Sequence, residues 1–538
     1  MSLESLVDIK KLESKIIKSS PLKRLASEHI IESDLKNRIF GDKGNYRIVQ
    51  TNFVNTSSKS HKFAAIVVMD LFIPGLKAEK VLTNGWLNTS RSEYVSLNFK
   101  SRTNNLLMQR DYNFHSFDKR YGYLKNSIVS EWYTEIVLGK ESLVIGAITT
   151  KDYFSQVFVK QKKSGLRIRV TCQLDDVIVG SKQKIASEKI ALILDRRQSA
   201  LSGFSRLVSL FAKSSMLVPK EINGLNCAYY DRGNDVDEEY VLAQLNVINS
   251  LKVKPKFNYI QLDAGYSDPW GDWFKTESKF PGGLKSIVGK IHQSGFKAGI
   301  WVAPFIASPT SDIFKNNPHW FLKDLNEKYI EGRGCSPFDG MGFLSFKVLD
   351  VTNDQVLDYI QFVAKKFKDF GFDMLKIDFT YPIHLKNNYY NNKYTRAQIV
   401  RRAYQAVRQG VGNETLLLSG ISHLSPLVGV VNSARVGSDS TAPLFYHKGY
   451  FSNLINKKMY NRNLKICANR SFLNNVIWKN DADCVVFQKG TGIGYLETKK
   501  HINFILKNDL SRWVGDDLRK LVKENKIADM VNFINTVQ

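Results

Sequence analysis

Cysteine is scarce in this chain: five residues in 538, at positions 172, 227, 335, 467 and 484, with no C-x-x-C spacing. A sparse, odd set gives neither a disulfide framework nor a zinc motif, so the thiols are expected to be free and mostly buried. Long hydrophobic runs are lacking too; no segment approaches the ~18–20 apolar residues of a membrane span. Residues 1–20 alternate charge with aliphatics (Leu3, Leu6, Val7, Ile9) and contain no continuous apolar stretch. No secretory leader is therefore expected, and the protein reads as soluble and cytoplasmic. Negative charge is in deficit, with 51 Asp and Glu against 77 Lys and Arg, a net +26. Such an excess can mark a nucleic-acid binder. Here the cations are spread along the chain, as in Lys160-Gln161-Lys162-Lys163, Lys365-Lys366 and Lys457-Lys458, with no basic arm and no nucleic-acid module. A solvated lysine-rich surface is the better reading, with no dedicated nucleic-acid or membrane partner; a homo-oligomer stays open.

What is present is an ordinary globular composition, 43% apolar and 12% aromatic, in a chain long enough for two or three domains. From about residue 48 to 194 short strand-like runs recur, among them Ala64-Ala65-Ile66-Val67-Val68, Glu93-Tyr94-Val95-Ser96-Leu97 and Leu166-Arg167-Ile168-Arg169-Val170. The last two alternate with period two, and polar turns separate the runs, which predicts an antiparallel β-sandwich over residues 1–200. A linker helix follows within 201–219. From Gly224 the texture becomes alternating strand and helix. Candidate strands lie at 225–229, 259–262, 298–302, 346–349, 374–377, 416–419, 430–436 and 476–478, with amphipathic segments at 238–250, 284–294, 354–370 and 395–411 between several of them. Eight strands in this length predict a catalytic (β/α)8 TIM barrel over 220–487. A doubly wound open sheet is the alternative, but no Gly-rich phosphate loop follows the first strand. Residues 488–538 read as helical, either barrel-end helices or a truncated terminal domain. The fold class is thus multidomain, β followed by α/β, with a short C-terminal region.

In a barrel the C-terminal strand ends converge on one face. At or just past those ends stand Asp231, Asp263, Trp301, Asp350, Asp378, His423, Asp439 and Asp481. Any one aspartate at such a junction is most often a turn former or helix cap; several at corresponding places weaken that explanation for the set. Lys376 lies two positions before Asp378, so both project to the same side of one strand, where the cation keeps the carboxylate ionised. A buried ion pair filling the barrel is the structural alternative. Arg435 stands four before Asp439, where it can bind substrate or hold that carboxylate. Two carboxylates at strand ends suit glycoside hydrolysis, with Asp378 as nucleophile and Asp439, given a raised pKa, as general acid. Trp270 and Trp273, in the loop after the Asp263 strand, suit either a sugar platform or loop packing.

The ordered motifs Leu262-Asp263-Ala264-Gly265-Tyr266, Gly271-Asp272-Trp273, Phe280-Pro281, Gly295-Phe296-Lys297-Ala298-Gly299-Ile300-Trp301-Val302-Ala303-Pro304, Lys376-Ile377-Asp378-Phe379 and Arg435-Val436-Gly437-Ser438-Asp439 resemble the α-galactosidases of glycoside hydrolase family 36, the melibiase group. The resemblance covers roughly residues 220–485. It implies a retaining enzyme without metal or organic cofactor that hydrolyses terminal α-linked galactose from oligosaccharides. Asp378 matches the family's nucleophile and Asp439 its acid/base, while Asp263, Trp301, Lys376 and Arg435 match sugar-binding positions. Tyr229 and Trp273 are added as substrate-binding candidates.

Three positions depart from the family pattern. Ala264 stands where a second aspartate usually grips sugar hydroxyls. Cys227-Ala228-Tyr229 replaces Cys-x-Trp, and Ile421-Ser422-His423-Leu424-Ser425-Pro426 replaces the Cys-x-Ser-Pro region. The departures keep other readings in play: an α-glycosidase for another sugar such as an N-acetylgalactosaminide or a pentopyranoside, a raffinose-synthase-like galactosyltransferase, or a catalytically silent carbohydrate-binding protein.

Overall fold

The structure is a computed structural model describing residues 13–18, 36–43, 45–97, 122–212, 218–229, 235–331, 346–384, 388–440, 450–490 and 493–536. The chain divides into two compact units: residues 1–215 with 391–401 and 423–429, and the remainder.

In the first unit the apolar strand-like runs pair as expected, all antiparallel. One sheet orders Glu13–Lys18, His61–Pro74, Gly165–Val179, Ser155–Lys162 and Ile128–Glu131. The other orders Lys184–Ala186, Tyr46–Val54, Ile190–Arg196, Glu141–Ala147, Tyr133–Leu138, Lys80–Asn84 and Ser92–Ser96, with Lys36–Lys43 also on Tyr46–Val54. Residues of the two sheets meet directly: Phe53 and Phe63 pack edge to face at 5.0 Å, and the Thr51 hydroxyl donates to the Val68 carbonyl at 3.1 Å. The expected helix after the strands forms at Arg197–Phe211, with Phe204 buried 5.5 Å from the Tyr133 ring.

The second unit is a barrel-like sheet of parallel strands. Asn223–Cys227, Tyr259–Leu262, Lys297–Val302, Met374–Ile377, Leu416–Ser419, Ser433–Arg435 and Lys479–Asp481 pair in that order. After Ala482 and Asp483 the same chain segment continues as Cys484–Val485, which pairs with Arg512–Val514, and that strand pairs back onto Asn223–Leu225. The connecting helices show why they form. In Asp354–Asp369 the buried residues Val356, Ile360, Val363, Ala364 and Phe367 recur at three and four, and the Asn353 side chain caps the first turn by accepting from Gln355 N.

Two expected strands fall elsewhere. The 346–349 run does not enter the parallel sheet; Lys347–Val348 pairs antiparallel with Ile306–Ala307. A short buried apolar run is common to a barrel strand and an inserted hairpin, so hydrophobicity alone could not separate them. The strand expected at 476–478 lies at Lys479–Asp481. Its polar residues are buried because each is satisfied: Lys479 Nζ donates to the Lys220 carbonyl at 2.9 Å and Asn480 Nδ2 to the Arg470 carbonyl at 3.0 Å. The C-terminal region is helical at Tyr495–Lys507, Leu518–Lys523 and Ile527–Asn535, and it also supplies the Arg512–Val514 strand.

Cys172, Cys227, Cys467 and Cys484 are free and buried, while Cys335 lies outside the described residues. Among the described residues no helix is long and apolar enough to cross a membrane.

Candidate active site

The Met374–Ile377 strand ends one residue before Asp378. There the backbone turns sharply, with Phe379 at φ +53°. That turn aims Phe379 N at Asp378 Oδ1, 2.9 Å away, and the same oxygen accepts Ile421 N from the neighbouring strand's end at 2.8 Å. Trp301 Nε1 donates to Oδ2 at 3.1 Å. Two N–H donors occupy the lone pairs of Oδ1, leaving Oδ2 with room for one more partner. Gly420 makes the approach feasible: a Cβ there would lie 2.7 Å from Asp378 Cγ and Oδ1.

Lys376, on the same side of the strand, reaches across to Asp263 at the end of Tyr259–Leu262, with Nζ 3.0 Å from Oδ2. Gln261 Nε2 donates to the same oxygen at 3.1 Å, and Ala264 N to Oδ1 at 2.8 Å. Burial works most strongly against the Lys376 ammonium, but the charge of Asp263, with that of Asp483 adding to it, holds the lysine above its ordinary value. The Tyr229 ring lies under the same Nζ, 5.4 Å from its centroid.

Arg435 ends the Ser433–Arg435 strand, buried among Asp439, Asp481 and Asp483. Nη1 pairs with Asp439, Nη2 with Asp483 Oδ1 at 2.5 Å, and Nε stands 3.7 Å from Asp481 Oδ2. The Asp439 side chain keeps 24% of its surface exposed, so it is the member of the group that opens to solvent. Burial pushes its carboxyl up; Arg435 opposes, and the charges of Asp483 and Asp378 add to the rise, which brings it to about 7. Asp483 goes the other way. Burial again opposes ionisation, but Arg435, Lys376 and the Tyr229 hydroxyl hold it below the usual carboxylate range. Two carboxylates beside one guanidinium are thus driven apart, one toward a proton and one toward permanent charge.

Of the residues singled out from sequence, Asp263, Trp301, Lys376 and Asp378 are brought together, and Arg435, Asp439, Asp481 and Tyr229 form an adjoining network. Trp273 is 1% exposed and packs edge-on to Trp301 at 6.2 Å, so it braces that ring and offers no free face. Half-buried Trp270 is the more open indole, 4.9 Å from Trp301 and stacked on Phe346 at 4.9 Å. Asp350 serves its own turn, accepting Thr352 N at 2.9 Å and Tyr390 N at 2.6 Å. His423 belongs to the first unit, its ring 5.3 Å from Trp86. Asp231 lies outside the described residues. Sequence reasoning missed Asp483 and Gly420. The repeat Asp481-Ala482-Asp483 at a strand end was the available signal for the first; a lone Gly after an apolar run carried little for the second.

Comparison with known proteins gives the class first. Residues 263–411 match the Melibiase family model. The α-galactosidase AgaA of Geobacillus stearothermophilus is 32% identical over 90 residues, 17% of this chain and 11% of that protein. The fold matches that of TtGalA, an α-galactosidase from Thermus thermophilus solved with p-nitrophenyl α-D-galactopyranoside, at a TM-score of 0.68 and 17% identity over 93% of this chain and 95% of that one. It also matches the glycoside hydrolase family 36 AgaA structure at 0.60 and 14% identity over 97% and 72%. At such identities the structural likeness concerns the fold alone. The sequence match to AgaA spans about a tenth of that relative's length, 11%. The motif resemblance to the glycoside hydrolase family 36 α-galactosidases agrees with the Melibiase match over residues 263–411 and with the sequence similarity to AgaA.

Proposed function

We infer that this protein is a retaining α-glycosidase acting on terminal α-linked galactose of oligosaccharides. The observation that carries the reading is the pair of differently tuned carboxylates. Asp378 is held by N–H donors with one free oxygen lone pair, and Asp439 is driven toward its protonated form beside it. In the first step Asp378 Oδ2 attacks the anomeric carbon as the glycosidic C–O bond breaks and the Asp439 proton passes to the leaving oxygen. In the second, the Asp439 carboxylate takes a proton from the water that attacks that carbon, and Asp378 leaves as a carboxylate. The sugar departs with its original anomeric configuration. Lys376, Asp263 and Arg435 hold hydroxyls, with Trp301 and Tyr229 at the edge of the sugar.

The fold we infer beneath this site is a closed (β/α)8 barrel preceded by a β-sandwich. Closure is supported by the 479–485 segment, which pairs one neighbour with its first half and another with its second. The sandwich is supported by the Phe53–Phe63 and Thr51–Val68 contacts. A cytoplasmic location accords with the free thiols.

The test is hydrolysis of p-nitrophenyl α-D-galactoside by the parent and by Asp378→Ala, with azide added to the variant. The expected result is parent turnover, a dead variant, and rescue that yields β-galactosyl azide. Turnover that survives Asp378→Ala sinks the mechanism. A second reading, a different α-linked sugar, is favoured by Ala264, whose methyl group offers no acceptor while Asp263 already receives Lys376, Gln261 and Ala264 N. Activity on a panel of other α-glycosides with none on galactoside would select it.

A further inference from the structure

Asp483 is absent from the motifs that carried the resemblance, yet its carboxylate joins Arg435, Tyr229 and the Ser440 amide. It sits at the break in the last-but-one strand segment, between Lys479–Asp481 and Cys484–Val485, with φ +71°. That left-handed backbone turns its side chain onto Arg435 while its own N–H is held by Asp481 Oδ1 at 2.9 Å. Asp is one of the few side-chain-bearing residues that adopt this conformation readily. Oδ2 accepts the Tyr229 hydroxyl and, at 2.6 Å, Ser440 N, the amide next to Asp439. Asp483 therefore touches Arg435, the residue following Asp439, and the aromatic ring under Lys376.

We propose that Asp483 is a positioning residue for Asp439: it engages one arm of the Arg435 guanidinium and anchors Ser440, so that Asp439 keeps a single arginine contact and is free to carry and return a proton. The proposal rests on the glycosidase reading for its catalytic meaning, though the proton control it describes does not need a substrate to be measured.

The charges around Asp439 fit this arrangement. From its own strand end comes Arg435, which favours ionisation; from the Met374–Ile377 strand and its tip come Lys376, which favours it, and Asp378, which opposes it. From the 479–485 segment come Asp481, buried and itself pushed toward its neutral form, and Asp483, held charged. Tyr229, after the first strand, is held far above the ordinary phenol range by burial and by Asp483, and so acts as a neutral donor. Behind the segment the groups are neutral as well. His501, in Tyr495–Lys507, is pushed down to about 4 by burial and sits 3.2 Å from the Ala482 carbonyl, with the Tyr460 ring 5.0 Å away edge-on. Cys467 and Cys484 are pushed up by burial and stay as thiols. Asp483 is thus the fixed negative charge against which the Arg435 cation is divided.

Two isosteric variants move Asp439 in opposite directions. Asp483→Asn keeps the size and an acceptor for Ser440 N but removes the charge, so Arg435 turns wholly to Asp439 and a like charge is lost. Asp439 then gives up its proton at lower pH. Tyr229→Phe removes a neutral donor from Asp483, leaves that charge less dispersed, and sends Asp439 higher. The ionisation of Asp439 is read without substrate, as the signal lost in Asp439→Asn during a carboxyl-13C NMR titration. It is read again as the alkaline limb of kcat/KM on p-nitrophenyl α-D-galactoside. The expected result is a fall of about one pH unit, tenfold in proton affinity, for Asp483→Asn, and a rise for Tyr229→Phe, with the kinetic limb following the NMR midpoint. A merely structural Asp483 would lower stability or kcat in both variants and leave the Asp439 midpoint where it was; that outcome overturns the proposal. If the midpoints move as expected while the parent shows no turnover, the glycosidase reading fails and the positioning role stands.

Discussion

At the scale of single residues the site is built by exclusion as much as by contact. Gly420 has no room for a methyl group, because a Cβ would fall 2.7 Å from the Asp378 carboxyl carbon. Gly420→Ala is expected to push Asp378 off the Trp301 N–H and to lower kcat by about 100-fold, since sub-ångström placement of a reacting group carries that weight. Steady-state kinetics beside a thermal melt checks this, and an unchanged kcat would mean that the glycine is not what seats Asp378. Asp439 makes a separate prediction about stability. Its folded-state pKa, about 7, lies above the ordinary 3.8. Between those values the unfolded chain releases its proton before the folded one does, so this group costs the native state stability as pH rises from 3.8 to 7 and no more beyond. Asp439→Asn should therefore raise the melting temperature at pH 8 and leave it near the parent's at pH 3.5. An equal change at both pH values would contradict the assigned shift.

At the scale of elements, the strand that carries Arg435 and the helix Tyr450–Asn469 pack with no slack at Gly437. A side chain there would run into Asn463, and its Cβ would lie 2.6 Å from Cys467 Sγ. Gly437→Ala is expected to destabilise the protein by about 1–3 kcal/mol, the usual range for overpacking a filled interior. Denaturant unfolding measures it, and a neutral result would show that the helix can yield. The same scale explains what could be read in advance. Asp378 and Lys376 were legible because period two fixes two residues on one side of a strand, and a polar pair within an apolar run has to be explained by partners. Trp273 was not, since an indole beside a strand end looks the same whether it lines a cleft or braces Trp301. Asp483 escaped because its orientation depends on one left-handed residue, a conformational choice that leaves no periodicity behind. Arg512–Val514 escaped for a related reason: three residues are too few for a pattern, and buried Arg512 is satisfied by distant partners, its guanidinium donating to the Ile534 carbonyl at 2.9 Å and the Thr536 carbonyl at 2.7 Å.

At the scale of the whole molecule, that last strand decides where the barrel-like unit ends. A boundary at residue 487 would leave a sheet edge on each side of a gap, along Asn223–Leu225 and along Cys484–Val485, because Arg512–Val514 pairs with both. Unpaired parallel edges bury backbone donors and acceptors without partners, or invite pairing with other chains. The contacts beyond the ladder point the same way. Gln244 Oε1, in the first helix of the unit, accepts Leu518 N at 2.8 Å, and its Nε2 donates to Asp517 at 2.9 Å, so the chain's last helices are tied to elements nearly three hundred residues earlier. A chain cut after residue 487 is therefore expected to be insoluble or to lack cooperative unfolding, whereas one cut after residue 536 should melt as the parent does. Far-ultraviolet circular dichroism and thermal melts of the two truncations decide it. Cooperative unfolding of the shorter chain would mean that the C-terminal region is an appendage and that the sheet does not need its final strand.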